Sequence, residues 1–402
     1  MHLAGGALGT WARIAVAASA ALSAAVSGHG PAPANATTVD SYFRGVAVIP
    51  GGGAWAVGTQ APLGPVSKGF IERADGTVWR LFPSPDVGGA SAASELSGVA
   101  AASATSAWAV GAVNDGETTR TLVEHWTGKA WKRTASPNPG GSPGVSSLAA
   151  VSALSPSSAW AVGSFLTSSI VEPMFHQTLV EHWNNKAWRV QPSPSPGPAD
   201  SSLMGVSALS PSDVWAVGTF TDDSGWDQTL IEHWNGSVWK QVKSPNPGGP
   251  LHSNLLFAVA ATSQSNVFAV GAYVDSRGDE TLIERWNGRS WKQVPSPSGP
   301  SGPGTSFLYD VAALPPATAW AAGIYVKAGV DQTLIEHWSR GSWKVVRSPD
   351  PGAPARYSFL SGIAVSSPSN AWATGFYQRG SPLDRTLAEH WNGTTWKTVI
   401  SP

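Results

Sequence analysis

Apolar and polar residues alternate in a pattern that recurs along most of the chain. Its clearest copy is the small apolar run Leu203–Leu209, the pentapeptide Val214-Trp-Ala-Val-Gly218 and the block Thr229-Leu-Ile-Glu-His-Trp-Asn-Gly-Ser-Val-Trp-Lys240. Alternate residues of an extended run share one face, so each run predicts a β-strand.

The aromatic residue of the pentapeptide marks seven tandem copies, spaced by 52 to 55 residues. These aromatic residues are Trp55, Trp108, Trp160, Trp215, Phe268, Trp320 and Trp372. Each copy predicts four antiparallel strands, which we name A to D in chain order. The chain is therefore predicted to be an all-β, seven-bladed β-propeller of four-stranded antiparallel blades, with one copy for each blade.

Blade 4 shows how the strands are delimited. Strand A is Leu203–Leu209, strand B is Val214–Gly218 and strand C is Thr229–Trp234. Asn235-Gly236 favours a tight hairpin because both residue types tolerate a positive φ, and it leads into strand D at Trp239. Proline-rich segments then close each repeat as loops.

The repeat frame also predicts how the ring closes. The first strand A lies near Arg44 to Val48 and the last strand D at Trp396 to Ile400, so each blade is built from its own consecutive residues. Blades 1 and 7 are expected to meet mainly by face packing, without exchange of a strand. The aromatic residues expected at this seam are Trp55 or Trp79 and Trp372 or Trp396. Arg73 and Ala74, where other blades mostly have His and Trp, fit a seam that packs differently.

Composition supports a large core and excludes several partners. Only Trp11 and Trp226 of the 21 Trp lie outside repeat positions, and most of these rings are expected between blades. The formal net charge is −1 and 13% of residues are charged, which argues against nucleic acid as a partner. The absence of Cys excludes disulfides, thiolate metal sites and a cysteine nucleophile.

The first residues predict secretion. Arg13 precedes an apolar run from Ile14 to Val26, and Ala34 and Ala36 form an A-x-A end. Residues 1–36 are therefore predicted to be a signal peptide and residues 37–402 the propeller. We expect no stable membrane insertion after cleavage of this segment; the alternative is an uncleaved membrane anchor, although the apolar run of about thirteen residues is short for a span of ~20 residues.

Two short motifs carry a family resemblance. The Trp234-Asn-Gly-Ser-Val-Trp239 hairpin and Asp75-Gly-Thr-Val-Trp79 resemble secreted bacterial propellers with kelch or Asp-box (sialidase-type) repeats, and the former is also similar to that of seven-bladed lectins. The Ser of an Asp box and the double glycine of kelch repeats are missing. The resemblance implies the architecture and transfers no catalytic residue.

A glutamate recurs in strand C of every blade. These residues are Glu72, Glu124, Glu181, Glu232, Glu284, Glu336 and Glu389, each followed by His or Arg. They could form sevenfold sugar-binding or proton-transfer sites. We favour a structural role, in which the Glu accepts hydrogen bonds from Thr, Trp or backbone donors and the His or Arg covers an aromatic ring of the adjacent blade.

Residues that do not repeat are the better guide to function. In a four-stranded meander the B–C and D–A loops emerge on the same face, which we call the rim. Blade 3 has a long B–C loop, Phe165 to His176. The candidate binding residues of the rim are His176, Asp222, Asp223, Trp226, Asp227, Asp275, Arg277 and Asp279.

The leading hypothesis is a non-catalytic extracellular binding or scaffold propeller. Its expected ligand is a carbohydrate or an extracellular protein, and it is expected to act as a monomer without cofactor or metal. The alternative is a glycoside hydrolase or polysaccharide lyase, which would need two carboxylates about 5–9.5 Å apart in a cleft, for example Asp227 and Asp279, or an Arg-rich pocket for an acidic sugar. No residue is assigned as catalytic.

Overall fold

The computed structural model describes residues 39–61, 66–85, 91–166, 175–299, 305–316, 318–379 and 383–401. The predicted signal peptide and residues 167–174 of the long blade 3 loop lie outside the described residues. Within the described ranges, the regular elements are 28 β-strands, four for each repeat.

The strands of the first four repeats are β1 Asp40–Val48, β2 Ala54–Ala61, β3 Lys68–Asp75, β4 Val78–Phe82, β5 Ala93–Ser103, β6 Ser106–Asn114, β7 Thr119–Trp126, β8 Trp131–Arg133, β9 Val145–Ser155, β10 Ser158–Leu166, β11 Gln177–Trp183, β12 Trp188–Val190, β13 Ser201–Ser210, β14 Asp213–Thr221, β15 Asp227–Trp234 and β16 Trp239–Gln241. The strands of the last three are β17 Asn254–Ser263, β18 Asn266–Asp275, β19 Gly278–Trp286, β20 Trp291–Gln293, β21 Ser306–Leu314, β22 Thr318–Lys327, β23 Val330–Ser339, β24 Ser342–Val345, β25 Ser358–Ser367, β26 Asn370–Tyr377, β27 Arg385–Trp391 and β28 Trp396–Val399.

Each repeat pairs its own strands antiparallel in the order A-B-C-D. The described strands form five four-stranded sheets and one eight-stranded sheet. The larger sheet consists of β5–β8 and β9–β12, which one parallel bridge between Thr119 and Val145 joins. Strands A to C begin earlier or end later than the sequence predicted, as in β15, which starts at Asp227 rather than Thr229.

A β-bulge in strand A explains the glycine of the pentapeptide. In β13, Leu203 faces Gly218 and Gly205 faces Val217, so Met204 is an extra residue. The same shift occurs in all seven first strands. A Cβ on Gly218 would lie 2.0 Å from the carbonyl oxygen of Ser202, so a side chain cannot be accommodated there.

The strands A of successive repeats contact one another in a closed order, from β1 through β5, β9, β13, β17 and β21 to β25 and back to β1. Strand A is therefore the innermost strand of every repeat. The apolar core lies between neighbouring repeats: Trp160 of β10 packs against Trp234 and Trp239 of the next repeat, with ring centroids 5.2 and 5.5 Å apart. Burying one such ring contributes on the order of 4–6 kcal/mol before the loss of entropy.

The seam between the last and first repeats is closed by aromatic packing. The rings of Trp372 and Trp79 meet edge to face, with centroids 5.2 Å apart. Ala74 replaces the Trp that strand C carries elsewhere, and Phe43 packs at this interface on Trp79 at 5.7 Å. The predicted aromatic contact and the different packing are thus confirmed, with Trp79 and Trp372 as the pair.

Hydrogen bonds reinforce this seam without exchange of a strand. β25 to β28 all come from the last repeat, and β1 pairs with β2. Residues 40–43 belong to β1, which is longer at its start than predicted. The Ser41 N–H donates to the carbonyl of Asp384 at 3.1 Å, and Ser401 Oγ donates to Glu72 Oε2 at 2.8 Å. The prediction that each terminal repeat is self-contained is confirmed.

Candidate functional site

The B–C and D–A loops meet on one face, as the meander predicted. The His176 N–H in the B–C loop of blade 3 donates to Oδ1 of Asp200 in the D–A loop at 2.7 Å. In blade 4 the ring of Trp226 lies 6.2 Å from that of His252, and Asn254 Nδ2 donates to Gln228 Oε1 at 3.2 Å. At blades 3 and 4 the B–C loop is therefore paired with the D–A loop that follows it.

The repeated strand C glutamates are buried between repeats and do not open onto the rim. At most 2% of each residue is exposed. Four of them accept a hydrogen bond from the Ser that follows strand D of the preceding repeat, as from Ser136 Oγ to Glu181 Oε2 at 2.8 Å. Burial raises the pKa of Glu124 to about 7 and that of Glu181 to about 8. The structural role is supported, but the observed side-chain donor is a serine rather than Thr or Trp.

The His that follows each Glu covers an aromatic ring of its own repeat, not of the adjacent one as expected. His125 stacks on Trp108 with centroids 4.0 Å apart, and its Nε2 lies 3.1 Å from Ser106 Oγ. The same stack forms at His182 and His337. The expectation was wrong because residues directly opposite each other on antiparallel strands share a face. Arg285 reaches both its own Phe268 and Trp338 of the next repeat.

The candidate residues of blade 4 mainly hold their own loop. Asp222 Oδ1 accepts from the N–H of Ser224 at 2.8 Å and of Trp226 at 3.2 Å, and its Oδ2 accepts from Gln228 Nε2 at 3.0 Å. Trp226 is half-buried, and Asp223 is exposed at the tip. Asp222 is thus engaged within the loop rather than directed at a ligand.

Three candidate residues occupy one repeated position, five residues before the buried Glu of strand C. They are His176, Asp227 and Asp279, and the position continues as Asp331 and Asp384, which the sequence reading missed. Burial raises the pKa of Asp279 to about 6. Burial also raises the pKa of Asp227, and the nearby carboxylates of Asp200 and Asp222 raise it further. Counting back from the repeated Glu would have found the whole series.

A cavity of about 420 Å³ lies on the rim of blade 5. Its lining residues are Tyr273, Arg277, Glu280, Thr281, Gln293, Pro295, Ser296, Pro297 and Ser298. They come from the B–C hairpin, from the end of strand D and from the segment that follows it. Ser298 has a φ of 51°, a left-handed conformation that turns this segment beside Thr281, whose Oγ1 lies 2.9 Å from Ser298 Oγ.

Glu280 is the buried acid of this cavity. It is 4% exposed, and its Oε1 has no hydrogen-bond partner among the described residues. The nearest cation is Arg277, whose Nε lies 4.0 Å away. Arg277 is instead held by Asp275, with Nη2 at 2.8 Å and Nε at 3.1 Å from Oδ2, and these hydrogen bonds lower the pKa of Asp275.

The structure therefore brings two predicted residues, Asp275 and Arg277, together with Glu280. Glu280 was not among the residues predicted from the sequence. Its equivalents in the other repeats are Lys68, Arg120, Gln177, Gln228, Gln332 and Arg385, so only blade 5 has an acid there. In blade 6, Tyr325 Oη donates to Gln332 Oε1 at 2.8 Å, which satisfies that amide oxygen. Alignment of the seven repeats at this position would have singled out Glu280.

Two features are absent from the described part of the chain. Within it, no group of three or more His, Asp or Glu side chains is arranged to hold a metal ion. Among the same residues, no helix has the length and hydropathy needed to cross a membrane.

No protein-family model matches the chain, and no curated protein matches it in sequence. Among solved structures, a puromycin-hydrolyzing peptidase from Mycobacterium tuberculosis is 12% identical with a TM-score of 0.53, covering 89% of this chain and 53% of that one. The β-propeller domain of the Trilobed protease from Pyrococcus furiosus, described as having an open velcro topology, is 9% identical with a TM-score of 0.50, covering 90% and 98%. A structure of YCF48 bound to D1 peptide is 16% identical with a TM-score of 0.49, covering 91% and 99%. The likeness to the Pyrococcus domain shows the fold alone: the chain is a β-propeller.

Proposed function

We propose that the chain is a secreted, non-catalytic binding propeller that takes a carbohydrate into the blade 5 cavity.

We further propose that the ring has seven blades, with the eight-stranded sheet counted as two. The single bridge between Thr119 and Val145 supports this count, because β5–β8 and β9–β12 each keep the four-strand order of the other repeats.

The unpartnered oxygen of Glu280 carries the proposal for the site. Nearly all buried polar atoms in proteins are hydrogen-bonded, and leaving one unpaired costs about 1–3 kcal/mol. A ligand hydroxyl donating to Glu280 Oε1 would recover this free energy on binding. Fixed donors and acceptors beside one aromatic ring are the usual means of orienting a small polar ligand.

The rest of the lining suits a sugar ring. The Tyr273 side chain offers a flat apolar surface, and its hydroxyl shares a hydrogen bond with the Gln293 amide. Thr281, Ser296 and Ser298 bring three hydroxyl groups to the same cavity. These groups can both donate and accept hydrogen bonds, as the hydroxyls of a sugar require.

A glycan array tests this function. The wild-type protein is expected to retain at least one class of glycan, Glu280→Ala to lose it, and Gln332→Ala to keep it. The control is matched because Gln332 holds the same position in blade 6. Thermal unfolding of each variant confirms that the fold is intact. Retention of no glycan by the wild type would refute the carbohydrate proposal. Release of sugar products in a parallel hydrolase and lyase screen would instead establish the catalytic alternative.

A further inference from the structure

The charges around the blade 5 cavity do not balance. Arg277 is the cation of the lining, and Asp275 holds it through two side-chain hydrogen bonds of 2.8 and 3.1 Å. Asp275 therefore neutralises Arg277. The carboxylate of Glu280 is left as the excess charge of the group, buried and without a hydrogen bond to Oε1 among the described residues.

We infer that the cavity selects a sugar that carries a free amino group, a glucosamine-type residue, over acidic sugars. This inference rests on the proposed carbohydrate function and names the class of sugar. An ammonium group both donates hydrogen bonds and supplies the charge that Glu280 lacks, and charge-assisted hydrogen bonds are roughly twice as strong as neutral ones. A uronic acid or a sulfated sugar would place a second negative charge beside Glu280.

The position of Arg277 strengthens this selection. Its Nε lies 4.0 Å from Glu280 Oε1, beyond hydrogen-bond distance, while the same nitrogen bonds Asp275. The Arg277 nitrogen nearest to Glu280 is thus already committed to Asp275. An ammonium group that donates to Oε1 would supply the hydrogen bond that Arg277 does not make.

A lysine side chain of a protein partner also carries an ammonium group. The sugar is favoured because the hydroxyl groups of Thr281, Ser296 and Ser298 hydrogen-bond one another yet each keeps an acceptor lone pair, which a sugar hydroxyl can use and a lysine stem cannot. Buried polar groups that a ligand fails to satisfy reduce affinity. The lysine alternative becomes an arm of the test.

The test is calorimetric titration of the full chain near pH 6 with three tetrasaccharides and one peptide. The probes are a fully deacetylated glucosamine tetramer, its N-acetylated counterpart, a tetragalacturonate and tetralysine. We expect the deacetylated tetramer to bind at least tenfold more tightly than the acetylated one, and the tetragalacturonate not to bind. In Glu280→Gln this preference should fall to within about twofold, because the amide keeps the shape but not the charge. Gln332→Ala should retain the full preference.

The outcomes separate the inference from the proposed function. Equal affinity for the acetylated and deacetylated tetramers, or an unchanged preference in Glu280→Gln, would overturn the amino-sugar inference and leave carbohydrate binding in place. Tight binding of tetralysine without binding of any sugar would overturn both. If neither the tetramers nor the glycan array shows binding, both are likewise refuted.

Discussion

At the scale of the residue, burial raises the pKa of the repeated glutamates and so favours their neutral form. The pKa of Glu72 is raised to about 7 and that of Glu232 to about 8, in both cases by burial between repeats. A neutral carboxyl can sit between apolar faces, whereas a buried carboxylate without a cation is costly. Below its raised pKa the side chain can thus join adjacent repeats in its neutral form.

These pKa values predict that stability falls as the pH rises from about 4.3, the ordinary pKa of Glu, through the folded pKa values of about 7 to 8. The folded state holds protons that the unfolded chain, with Glu near 4.3, has already released, so each such group contributes stability that is lost as the pH rises through its folded pKa. The loss is about 1.4 kcal/mol per pH unit for each carboxyl still protonated in the fold. Urea unfolding between pH 7 and 9 should show it.

Glu181→Gln supplies the control for this prediction. The amide accepts from Ser136 as the protonated acid does, but it does not ionise, so the loss of stability between pH 7 and 8 should be smaller by about 1 kcal/mol. Burial lowers the pKa of His125, His182, His337 and His390, which destabilises the fold only in acid, below about pH 6.5. A free energy of unfolding that is constant from pH 7 to 9 would contradict the prediction.

At the scale of the element, strand A and strand B are fitted to each other by the bulge. The strand B glycines that face it would each place a Cβ 1.9 to 2.1 Å from a strand A carbonyl oxygen. These glycines are Gly58, Gly111, Gly163, Gly218, Gly271, Gly323 and Gly375. The glycine is therefore required by the close approach of two backbones.

Gly218→Ala is predicted to destabilise blade 4 by about 3 kcal/mol, since the extra carbon must displace the carbonyl of Ser202. Urea unfolding measures the loss. Ala149→Ser is the control, because this bulge residue of β9 has serine equivalents at Ser97 and Ser361. It should change stability by less than about 0.5 kcal/mol. Equal stabilities of Gly218→Ala and wild type would show that the bulge is not present in solution.

At the scale of the whole molecule, the seam between the last and first repeats must be as stable as the other interfaces between repeats. It combines the Trp79–Trp372 contact with hydrogen bonds between residues more than 300 positions apart, such as Ser361 Oγ to the carbonyl of Phe43 at 2.7 Å. These contacts tie the two ends of the chain together. The ring is thereby closed by aromatic packing and separate hydrogen bonds rather than by a shared sheet.

A double-mutant cycle tests this closure. Trp79→Ala and Trp372→Ala should each cost about 3–5 kcal/mol, and the double variant should cost less than their sum because the two rings contact each other. Trp160 and Trp239, whose centroids are 5.5 Å apart at an interior interface, give the reference cycle. Additive costs at the seam together with coupling at the interior pair would mean that the seam is open in solution.

The sequence by itself determined the strands, their grouping and the propeller class. Alternation of apolar and polar residues is a local property, and Asn-Gly turns and prolines delimit each strand within its own repeat. The seam was also foreseeable, because Ala74 departs from the repeated Trp. The direction in which His125 stacks was not, since it depends on the register of β6 against β7.

Only the tertiary structure decided the environment of Glu280 and the cavity that it lines. Glu280 stands at a position that holds Lys68 or Gln332 elsewhere, and nothing local marks it as buried or as lacking a hydrogen bond. Its environment forms when the B–C hairpin, the end of β20 and the segment that follows it come together. A strand is specified by neighbours along the chain, whereas this cavity depends on side chains from segments that only the folded blade brings into contact.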